Sequence, residues 1–358
     1  MKLIDHQKYF VSNLVKWNAN DNKREMPWKG EKDSYKIWLS EIILQQTRVE
    51  QGLDYYHRFV KAFPTIAHLA RATETRVFKL WEGLGYYSRC KNLIATAKFI
   101  NDQLGGRFPD KYEDILSLKG IGPYTAAAIG SFAFNLPYAV VDGNVYRVLS
   151  RFFGISIPTD SSAGKKIFSE LANVLLDREQ PGIYNQALMD FGAVICKPQL
   201  PLCTSCPLKN QCVAFSRGTV HQLPVKEKSI TKKTRWFYYL VVDFEGAVYV
   251  RKRDAKDIWE NLYEFILIEA NEALALENFR QVKTLLGKIK FEVTHISSIY
   301  KQLLTHQTIQ GQFIKLTIKE PLQLKDYKTV EKKALQKLPF PKFISNYLKD
   351  KNVSLNLF

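Results

Sequence analysis

The sequence lacks a long apolar run, and cysteine is scarce. No stretch of eighteen apolar residues occurs in the 358 residues, and the first ten, MKLIDHQKYF, carry Lys2, Asp5 and Lys8 where a signal peptide needs an apolar core. All five cysteines lie at or before Cys212. We therefore expect a soluble chain without an export or membrane signal, in a reducing intracellular compartment and without a disulfide framework.

Acidic residues are too few to balance the basic ones. The 52 Lys and Arg against 35 Asp and Glu give a formal charge of +17 and a pI near 9.5. Such an excess favours a polyanionic partner, because basic side chains that neutralise phosphates release condensed counterions. A merely solvated basic surface is the alternative. With 46% hydrophobic residues, the length allows two domains with separate cores.

The sequence pattern divides the chain into a helical part and an α+β part, without internal repeats. Up to about Phe215, apolar residues recur at helical spacing and no strand alternation interrupts them. Residues 218–234 are lysine-rich without an apolar period and are interpreted as a linker. Beyond it, the pattern predicts a hairpin of Arg235–Asp243 and Ala247–Arg253, strands at Lys290–Ile299 and Gln312–Ile318, and helices at Leu274–Leu286 and Phe343–Leu348.

Four of the five cysteines, Cys196, Cys203, Cys206 and Cys212, have the spacing C-x6-C-x2-C-x5-C. Four thiolates in so short a segment can wrap an iron-sulfur cluster. Zinc is the main alternative, although zinc sites usually have two C-x2-C pairs and this segment has one. Buried thiols without a ligand are a further alternative. Cys90 lies far from the four and is interpreted as a core or surface thiol.

This spacing resembles that of the endonuclease III and MutY superfamily of DNA glycosylases, in which four cysteines hold a 4Fe-4S cluster. The resemblance implies a mainly α N-terminal domain with a helix-hairpin-helix and a cluster loop, followed by an α+β MutT/Nudix-like domain. We place the helical domain at 1–217, with a six-helix barrel part at about 27–134 and a cluster part at about 1–26 and 135–217. The second domain is placed at 235–358.

A helix-hairpin-helix is predicted in the segment LKGIGPYTAAAIGSFAF. One helix is expected to end at Lys119, and the next to begin with Pro123 at a first-turn position. Glycines let the backbone approach a DNA phosphate closely, and the N–H groups at the start of a helix point at it. The residues assigned to DNA binding here are Gly120, Gly122 and Thr125. A plain αα-hairpin with a glycine turn is the alternative.

Asp142, in VVDGNVYRVLSR, precedes a helix predicted at Val145–Phe152. On local grounds it is an N-cap. A helix-hairpin-helix followed by an aspartate at this distance also resembles the catalytic signature of the superfamily, whose aspartate faces the sugar of the target nucleotide. The two roles are compatible.

Tyr124 occupies the position at which bifunctional enzymes of the superfamily carry a lysine, two residues after the second glycine of the hairpin. That lysine attacks C1′ to give a Schiff base and strand cleavage. A phenol cannot form an imine, so we predict hydrolysis of the N-glycosidic bond alone, with Tyr124 among the catalytic residues. Lys119 is the nearest lysine, but it lies on the phosphate-facing turn.

Glu41 lies on an otherwise apolar helix face from Trp38 to Leu44. A carboxyl in apolar surroundings has a raised pKa and stays protonated near neutrality. A surface glutamate paired with Arg48 is the alternative. The segment SEIILQQTRVE closely resembles the MutY motif, whose glutamate is implied to protonate adenine N7 so that the base leaves without a negative charge. The aspartate, here Asp142, is implied to stabilise or trap the oxocarbenium ion.

Three further positions are implied to contact adenine rather than an oxidised pyrimidine. Gln186, in YNQALMDFG, matches the family glutamine that hydrogen-bonds the flipped adenine, and Leu44 and Lys29 are assigned to the same pocket. The family often has arginine where this sequence has Lys29, and a lysine keeps the charge but loses bidentate geometry. As an alternative, Gln186 is an ordinary polar helix residue.

Three more matches concern the aspartate and the DNA stack. Asn144 is implied to be the partner of the catalytic aspartate, and Gln46 and Tyr86 are implied to wedge into the stack from which the base is extruded. The alternatives are an ordinary polar helix residue at Gln46 and an aromatic anchor at Tyr86.

The C-terminal part resembles the MutT-like domain of MutY enzymes, most clearly in RKRDAKDIWENLYEF. It lacks the REXXEE pattern of a Nudix pyrophosphatase, so we do not expect that activity. The family uses this domain to inspect 8-oxoguanine through a loop that commonly reads Phe-Ser-His, and its equivalent here is Leu304-Thr305-His306. Leu304 cannot stack like an aromatic ring. A simple strand connection is the alternative.

The sequence therefore predicts a monofunctional adenine DNA glycosylase of base excision repair with a 4Fe-4S cofactor. Its partner is double-stranded DNA with adenine opposite 8-oxoguanine or guanine, and we expect a cytoplasmic, nucleoid-associated monomer. An endonuclease III-like glycosylase/lyase and a noncatalytic iron-sulfur DNA-binding or redox-signalling protein are the alternatives.

Overall fold

The computed structural model describes residues 3–227, 232–253, 257–274 and 280–350. By its internal contacts the chain forms two compact units. Unit 1 comprises Met1–Arg71 and Ala95–Lys228, and unit 2 comprises Ala72–Ile94 and Ser229–Phe358. Parts of the predicted linker (228–231) and of the predicted helix Leu274–Leu286 (275–279) lie outside the described residues.

Residues 3–216 fold into helices joined by loops, as predicted. No helix among the described residues is both long and apolar enough to cross a membrane. The helices are α1 Leu3–Asn20, α2 Ser34–Leu44, α3 Val49–Ala62, α4 Ile66–Arg71, α5 Glu74–Trp81, α6 Tyr87–Gln103, α7 Tyr112–Ser117, α8 Pro123–Phe134, α9 Gly143–Phe153, α10 Ser162–Leu175, α11 Pro181–Val194 and α12 Val213–Ser216.

The core of unit 1 lies where α1 and the helices from α8 to α11 pack together. Phe10 and Leu14 of α1 are fully buried in this core, beside Val145 and Phe152 of α9 and Phe191 of α11. These residues recur at helical spacing, so each helix turns one apolar stripe inward. The packing sets α9 and α11 side by side; Asp142 caps the N-terminus of α9, and Gln186 lies within α11.

The predicted helix-hairpin-helix is present between α7 and α8. The first helix ends at Ser117, two residues earlier than predicted, because the Leu118 N–H bonds to the carbonyl of Ile115. Gly120 adopts a φ of +80°, which a glycine takes without steric cost. Pro123 occupies the first turn of α8, as predicted.

Unit 2 contains a mixed eight-stranded sheet, which confirms the predicted α+β class. The main strand order is β3-β2-β1-β7-β5, with β4 on β1, β6 on β7 and β8 on β2; only β1 and β7, among the described strands, pair in parallel. The strands are β1 Lys233–Phe244, β2 Ala247–Lys252, β3 Tyr263–Glu264, β4 Ile266–Ala270, β5 Phe291–Ile296, β6 Tyr300–Leu303, β7 Gln307–Ile318 and β8 Lys328–Glu331.

The predicted hairpin is formed by β1 and β2. Its turn consists of Glu245 and Gly246, both with positive φ, which matches the twist of a tight hairpin. β1 begins at Lys233, inside the predicted linker, and Val220 and Leu223 of that linker are buried beside Ala214. Isolated buried residues of this kind produce no apolar period, so no pattern in the sequence predicted their burial.

Beside the strands, the described residues after 232 form the helices α13 Arg280–Leu286 and α14 Lys342–Lys349. Phe343 and Tyr347 of α14 contact Phe313 of β7, and the rings of Tyr347 and Phe313 are stacked with centroids 3.9 Å apart. α14 is the helix predicted at Phe343–Leu348. β7 begins five residues before the predicted Gln312, because its pairing with β1 extends to Gln307.

A test of this sheet is the substitution Gly311→Ala. Gly311 pairs with Phe237 in the parallel register, and a Cβ there would overlap the Phe237 carbonyl oxygen. The backbone must shift to admit a methyl group, so we expect a loss of about 3 kcal/mol in the free energy of unfolding, measured by urea denaturation. Thr317→Val, an exposed substitution on the same strand, is the control. Equal stability of the two variants would contradict the register.

Candidate active site

Glu41 lies near the C-terminal end of α2, a helix that begins where Asp33 accepts the Tyr35 N–H at 2.9 Å. Its buried neighbours on the helix are apolar apart from Ser40, and Glu41 itself is only 7% exposed. Burial raises the pKa of Glu41 to about 7, a donor at Tyr124 lowers it, and the charge of Asp142 raises it. Glu41 is therefore a buried carboxyl, and the direction of its pKa shift is the one expected of an acid.

Asp142 caps α9, as predicted. One carboxylate oxygen accepts the N–H groups of Asn144 and Val145, each at 2.8 Å, and the other accepts the Asn144 side-chain amide at 2.6 Å. Burial raises the pKa of Asp142, whereas these three donors and the charge of Arg147 lower it. Asp142 has more donors to its charged form than Glu41 has, so it is the better carboxylate and Glu41 the better acid.

Asn144 also connects Asp142 to a buried arginine. The Arg147 guanidinium donates to the Asn144 side-chain oxygen at 2.8 Å, to the Gly192 carbonyl at 2.7 Å and to the Cys196 carbonyl at 2.7 Å. Asn144 is thus held on both sides, and the orientation of Asp142 is fixed with it.

Tyr124 stands in the first turn of α8 and interacts with Glu41 as a hydrogen-bond donor. Burial and the charges of Glu41 and Asp142 raise the pKa of the phenol well above its usual range, so it remains a neutral donor. Thr125, predicted to bind DNA, is 2% exposed and its hydroxyl accepts the Gln45 amide at 3.2 Å, so only its backbone remains for a phosphate.

A cavity of about 490 Å³ brings together seven of the residues singled out from the sequence. They are Glu41, Leu44, Gln46, Tyr124, Asp142, Asn144 and Gln186. A smaller cavity of about 280 Å³ adjoins the same glutamate and is lined by Trp28, Lys29 and Gln186 among others. Both cavities lie in unit 1, and a planar base with a sugar fits the scale of the larger one.

The sequence did not single out three residues of these cavities or of their walls. Arg24 and Trp28 line the larger cavity, and Asp190 lies behind it with no exposure. Asp190 accepts the Gln186 amide at 2.9 Å and the Arg24 guanidinium at 2.8 Å. A signal existed for Asp190, since it follows Gln186 by four residues, the spacing of side chains on one helix face.

Gln46 and Tyr86, predicted to enter the DNA stack, share an unusual backbone. Gln46 has φ +55° and is exposed, and Tyr86 in unit 2 has φ +48° and is 42% exposed. Non-glycine residues seldom take this conformation. Gln46 follows the end of α2 and borders the larger cavity.

Unit 2 has its own cavity of about 670 Å³. Leu304, Thr305 and His306 line it from the turn between β6 and β7, and Tyr86 lines it as well, its hydroxyl hydrogen-bonded to that of Thr305. The predicted recognition loop is thus a tight hairpin connection and also a cavity wall. No group of three or more His, Cys, Asp or Glu among the described residues is arranged to hold a metal ion.

The four predicted ligands, Cys196, Cys203, Cys206 and Cys212, are free thiols that border one small cavity. Burial raises the pKa of three of them, Cys206 to about 12. The buried Arg151 contacts the Cys196 sulfur at 3.4 Å. Cys90 is fully buried in unit 2, so of the two alternatives left open by the sequence, a core or a surface thiol, it is a core thiol.

The sequence also matches known families and proteins. Residues 39–173 match the HhH-GPD superfamily of base excision DNA repair proteins, and residues 237–350 match the NUDIX domain. The adenine DNA glycosylase of Buchnera aphidicola subsp. Baizongia pistaciae is 34% identical over 80% of this chain and 83% of that protein. That of Buchnera aphidicola subsp. Acyrthosiphon pisum is 37% identical over 72% of this chain and 74% of that protein.

Solved structures agree with this for the helical part. A thermostable thymine-DNA glycosylase has a TM-score of 0.55 at 30% identity, over 60% of this chain and 98% of that chain. An endonuclease III in a non-covalent DNA complex has a TM-score of 0.53 at 20% identity, over 61% of this chain and 99% of that chain, and so shares the fold. The predicted helix-hairpin-helix and Nudix-like folds are confirmed. The chain therefore belongs to the adenine DNA glycosylase family, within the helix-hairpin-helix superfamily of base excision DNA repair proteins.

Proposed function

We propose that the protein is a monofunctional DNA glycosylase that hydrolyses the N-glycosidic bond of adenine opposite 8-oxoguanine or guanine and leaves an abasic site. One observation carries this proposal: two carboxyls with different hydrogen-bonding environments, Glu41 and Asp142, line one cavity. A phenol, Tyr124, stands there in place of an imine-forming lysine. Names of relatives at 34 and 37% identity support adenine as the base.

Glu41 is proposed to act as the general acid. With a pKa of about 7, Glu41 carries a proton in a substantial fraction of the protein molecules at neutral pH. Transfer of that proton to adenine N7 lets the base leave as a neutral species while the C1′–N9 bond breaks. Tyr124, a neutral donor to Glu41, holds the carboxyl in place and stabilises the carboxylate that the transfer creates.

Asp142 is proposed to stabilise the sugar. As the C1′–N9 bond breaks, positive charge develops on the sugar, and a carboxylate at this point stabilises it. The donors from Asn144 and Val145 fix the Asp142 carboxylate before the substrate arrives. Water then adds to C1′ and completes the hydrolysis.

Base recognition is assigned to Gln186, Leu44 and Lys29, which line the cavities at Glu41. Binding of the DNA backbone is assigned to the helix-hairpin-helix, where Gly120, Gly122 and the N–H groups at the start of α8 are suited to bind a phosphate. Gln46 and Tyr86 are proposed to fill the space that the extruded base leaves.

A 4Fe-4S cluster is proposed at Cys196, Cys203, Cys206 and Cys212. The donor chemistry supports this proposal, because four free thiols border one cavity without a disulfide, although among the described residues they are not arranged as a formed metal site. When bound, the cluster supplies four cross-links that brace this loop. Arg151 stabilises the loop, because it donates to the Lys197 and Pro198 carbonyls as well as to the Cys196 sulfur.

Recognition of the base opposite the adenine is assigned to unit 2. Leu304, Thr305 and His306 offer a hydroxyl and an imidazole to the edge of 8-oxoguanine, and the cavity they line is wide enough for a purine. A DNA substrate and a formal net charge of +17 lead us to propose a monomer that acts in the cytoplasm at the nucleoid.

The pH dependence tests the acid. Since Glu41 must be protonated, kcat/KM for adenine release is expected to fall about tenfold per pH unit above about 7, and at low pH it falls as Asp142 takes up a proton. Glu41→Gln is expected to lower the rate about 10³-fold and Asp142→Asn to lower it as well, with DNA binding kept. The exposed Glu50→Gln is the control. Base release at the wild-type rate in both Glu41→Gln and Asp142→Asn would contradict the roles proposed for the two carboxyls, and no base release by the wild-type protein would support a noncatalytic DNA-binding protein.

A duplex assay tests the base and the reaction type. The duplexes carry adenine opposite 8-oxoguanine, adenine opposite guanine, thymine opposite guanine, or thymine glycol, and each is analysed with and without alkali. We expect strand breaks only after alkali, and fastest for adenine opposite 8-oxoguanine, because Tyr124 forms no imine. Breaks without alkali, or a preference for thymine glycol, would instead indicate a glycosylase/lyase.

Lesion recognition is tested at the β6–β7 turn. Thr305→Val removes the hydroxyl at nearly constant volume, and we expect the preference for 8-oxoguanine over guanine opposite adenine to fall about tenfold, the value of one hydrogen bond. Single-turnover rates on the two duplexes measure it. Thr294→Val, the same change at an exposed site of β5, is the control. An unchanged preference in Thr305→Val would leave this turn as a simple connection.

A further inference from the structure

Asp190 of α11 is a buried carboxylate that four side chains contact. One of its oxygens accepts the Arg24 guanidinium at 2.8 Å and the Gln186 amide at 2.9 Å. The other accepts the Asn22 amide at 3.0 Å and the Lys29 ammonium at 3.1 Å. Its side chain has no exposure, so these contacts satisfy it without water.

Three of the four donors line the cavities at Glu41, whereas Asp190 lies outside both. Gln186 borders both cavities, Arg24 the larger one and Lys29 the smaller one. One carboxylate behind the walls therefore sets the position of three groups that a bound base meets. The contact with Gln186 is built into α11, because the two residues lie one helical turn apart.

The contact also decides which way the Gln186 amide points. An ionised carboxylate has only acceptors, and the ion pairs with Arg24 and Lys29 hold Asp190 in that role. The amide must therefore turn its nitrogen to Asp190, since its oxygen would be repelled there. The amide oxygen points away from Asp190 and is available to a base in the cavity.

We propose that Asp190 is a positioning residue that sets base selectivity, because it fixes the Gln186 amide with its oxygen toward the base. An oxygen at this point accepts the 6-amino group of adenine and opposes the 6-oxo group of hypoxanthine, which is itself an acceptor. This proposal rests on the proposed adenine glycosylase function. The new element is Asp190, which restricts the Gln186 amide to one orientation. Without this restraint, the amide could present its nitrogen, a donor, to the base as easily as its oxygen, an acceptor.

The test is Asp190→Asn, assayed under single-turnover conditions on duplexes with adenine or hypoxanthine opposite 8-oxoguanine. The two bases share N7, so protonation by Glu41 is common to both and cancels in the ratio of rates. An asparagine at 190 offers a donor and an acceptor, so both orientations of Gln186 become possible. The adenine-to-hypoxanthine ratio is expected to fall about tenfold, the factor that one misplaced hydrogen bond costs.

A second background shows whether Asp190 acts through Gln186. The Gln186→Leu variant is expected to have a low adenine-to-hypoxanthine ratio already. Asp190→Asn added to this variant is expected to change the ratio no further, because the two side chains act as a unit. Asn22→Ala is the matched control, since it removes a different donor from the other Asp190 oxygen. Its ratio is expected to equal that of the wild type.

Two outcomes would overturn the proposal: a wild-type ratio in folded Asp190→Asn, or an equal further drop in the Gln186→Leu background. If Asp190→Asn alone does not fold, the charge-balanced pair Asp190→Asn with Lys29→Met is compared with Lys29→Met alone, so that the difference reports Asp190. Failure of the proposed function is distinct, because the wild-type protein would then release no adenine at all.

Discussion

The burial of Glu41 among apolar residues is the constraint on which the rest of the site depends. Apolar residues of α2, among them Trp38 and Ile42, are buried on either side of it. Transfer of a carboxylate into such surroundings is costly, so the side chain keeps its proton to about pH 7 instead of losing it near its ordinary value. The helix packing therefore creates the acid, and the same packing holds it against Tyr124. A single donor at Tyr124 steadies the carboxyl without removing its proton.

Asp142 borders the same cavity as Glu41, but hydrogen-bond donors to its charged form oppose the effect of burial on its pKa more strongly. Asp142 begins a helix, and the free N–H groups of that first turn stabilise its charge. Its structural role as N-cap and its proposed catalytic role thus use the same three hydrogen bonds. Arg147 donates a hydrogen bond to the Asn144 side chain, so the Asp142 side chain cannot rotate together with Asn144 without breaking buried contacts. Two carboxyls of similar chemistry are separated in function by the donors that each fold element provides.

Local patterns predicted the parts of this molecule that depend on neighbours in sequence. The start of α8 at Pro123, the cap at Asp142 and the buried face around Glu41 each follow from a few consecutive residues. The role of Asp190 did not emerge, because its ligands Arg24 and Lys29 lie more than 160 residues away and no periodicity encodes such a meeting. The parallel pairing of β1 with β7 escaped for the same reason, and short strands such as β3 and β8 carry too few residues to show an alternation.

Backbone strain at Gln46 completes the physical account of the larger cavity. α2 ends at Leu44, and the chain must reverse at once so that α3 begins at Val49. Gln46 makes that reversal with a φ of +55°, which costs a residue with a side chain about 1 kcal/mol and a glycine almost nothing. The neighbouring helices hold it there, because Thr47 still bonds to the Leu44 carbonyl at 3.1 Å. A long polar side chain is thereby presented at the cavity from a backbone with little freedom, which suits the role proposed for Gln46 of filling the space that an extruded base leaves.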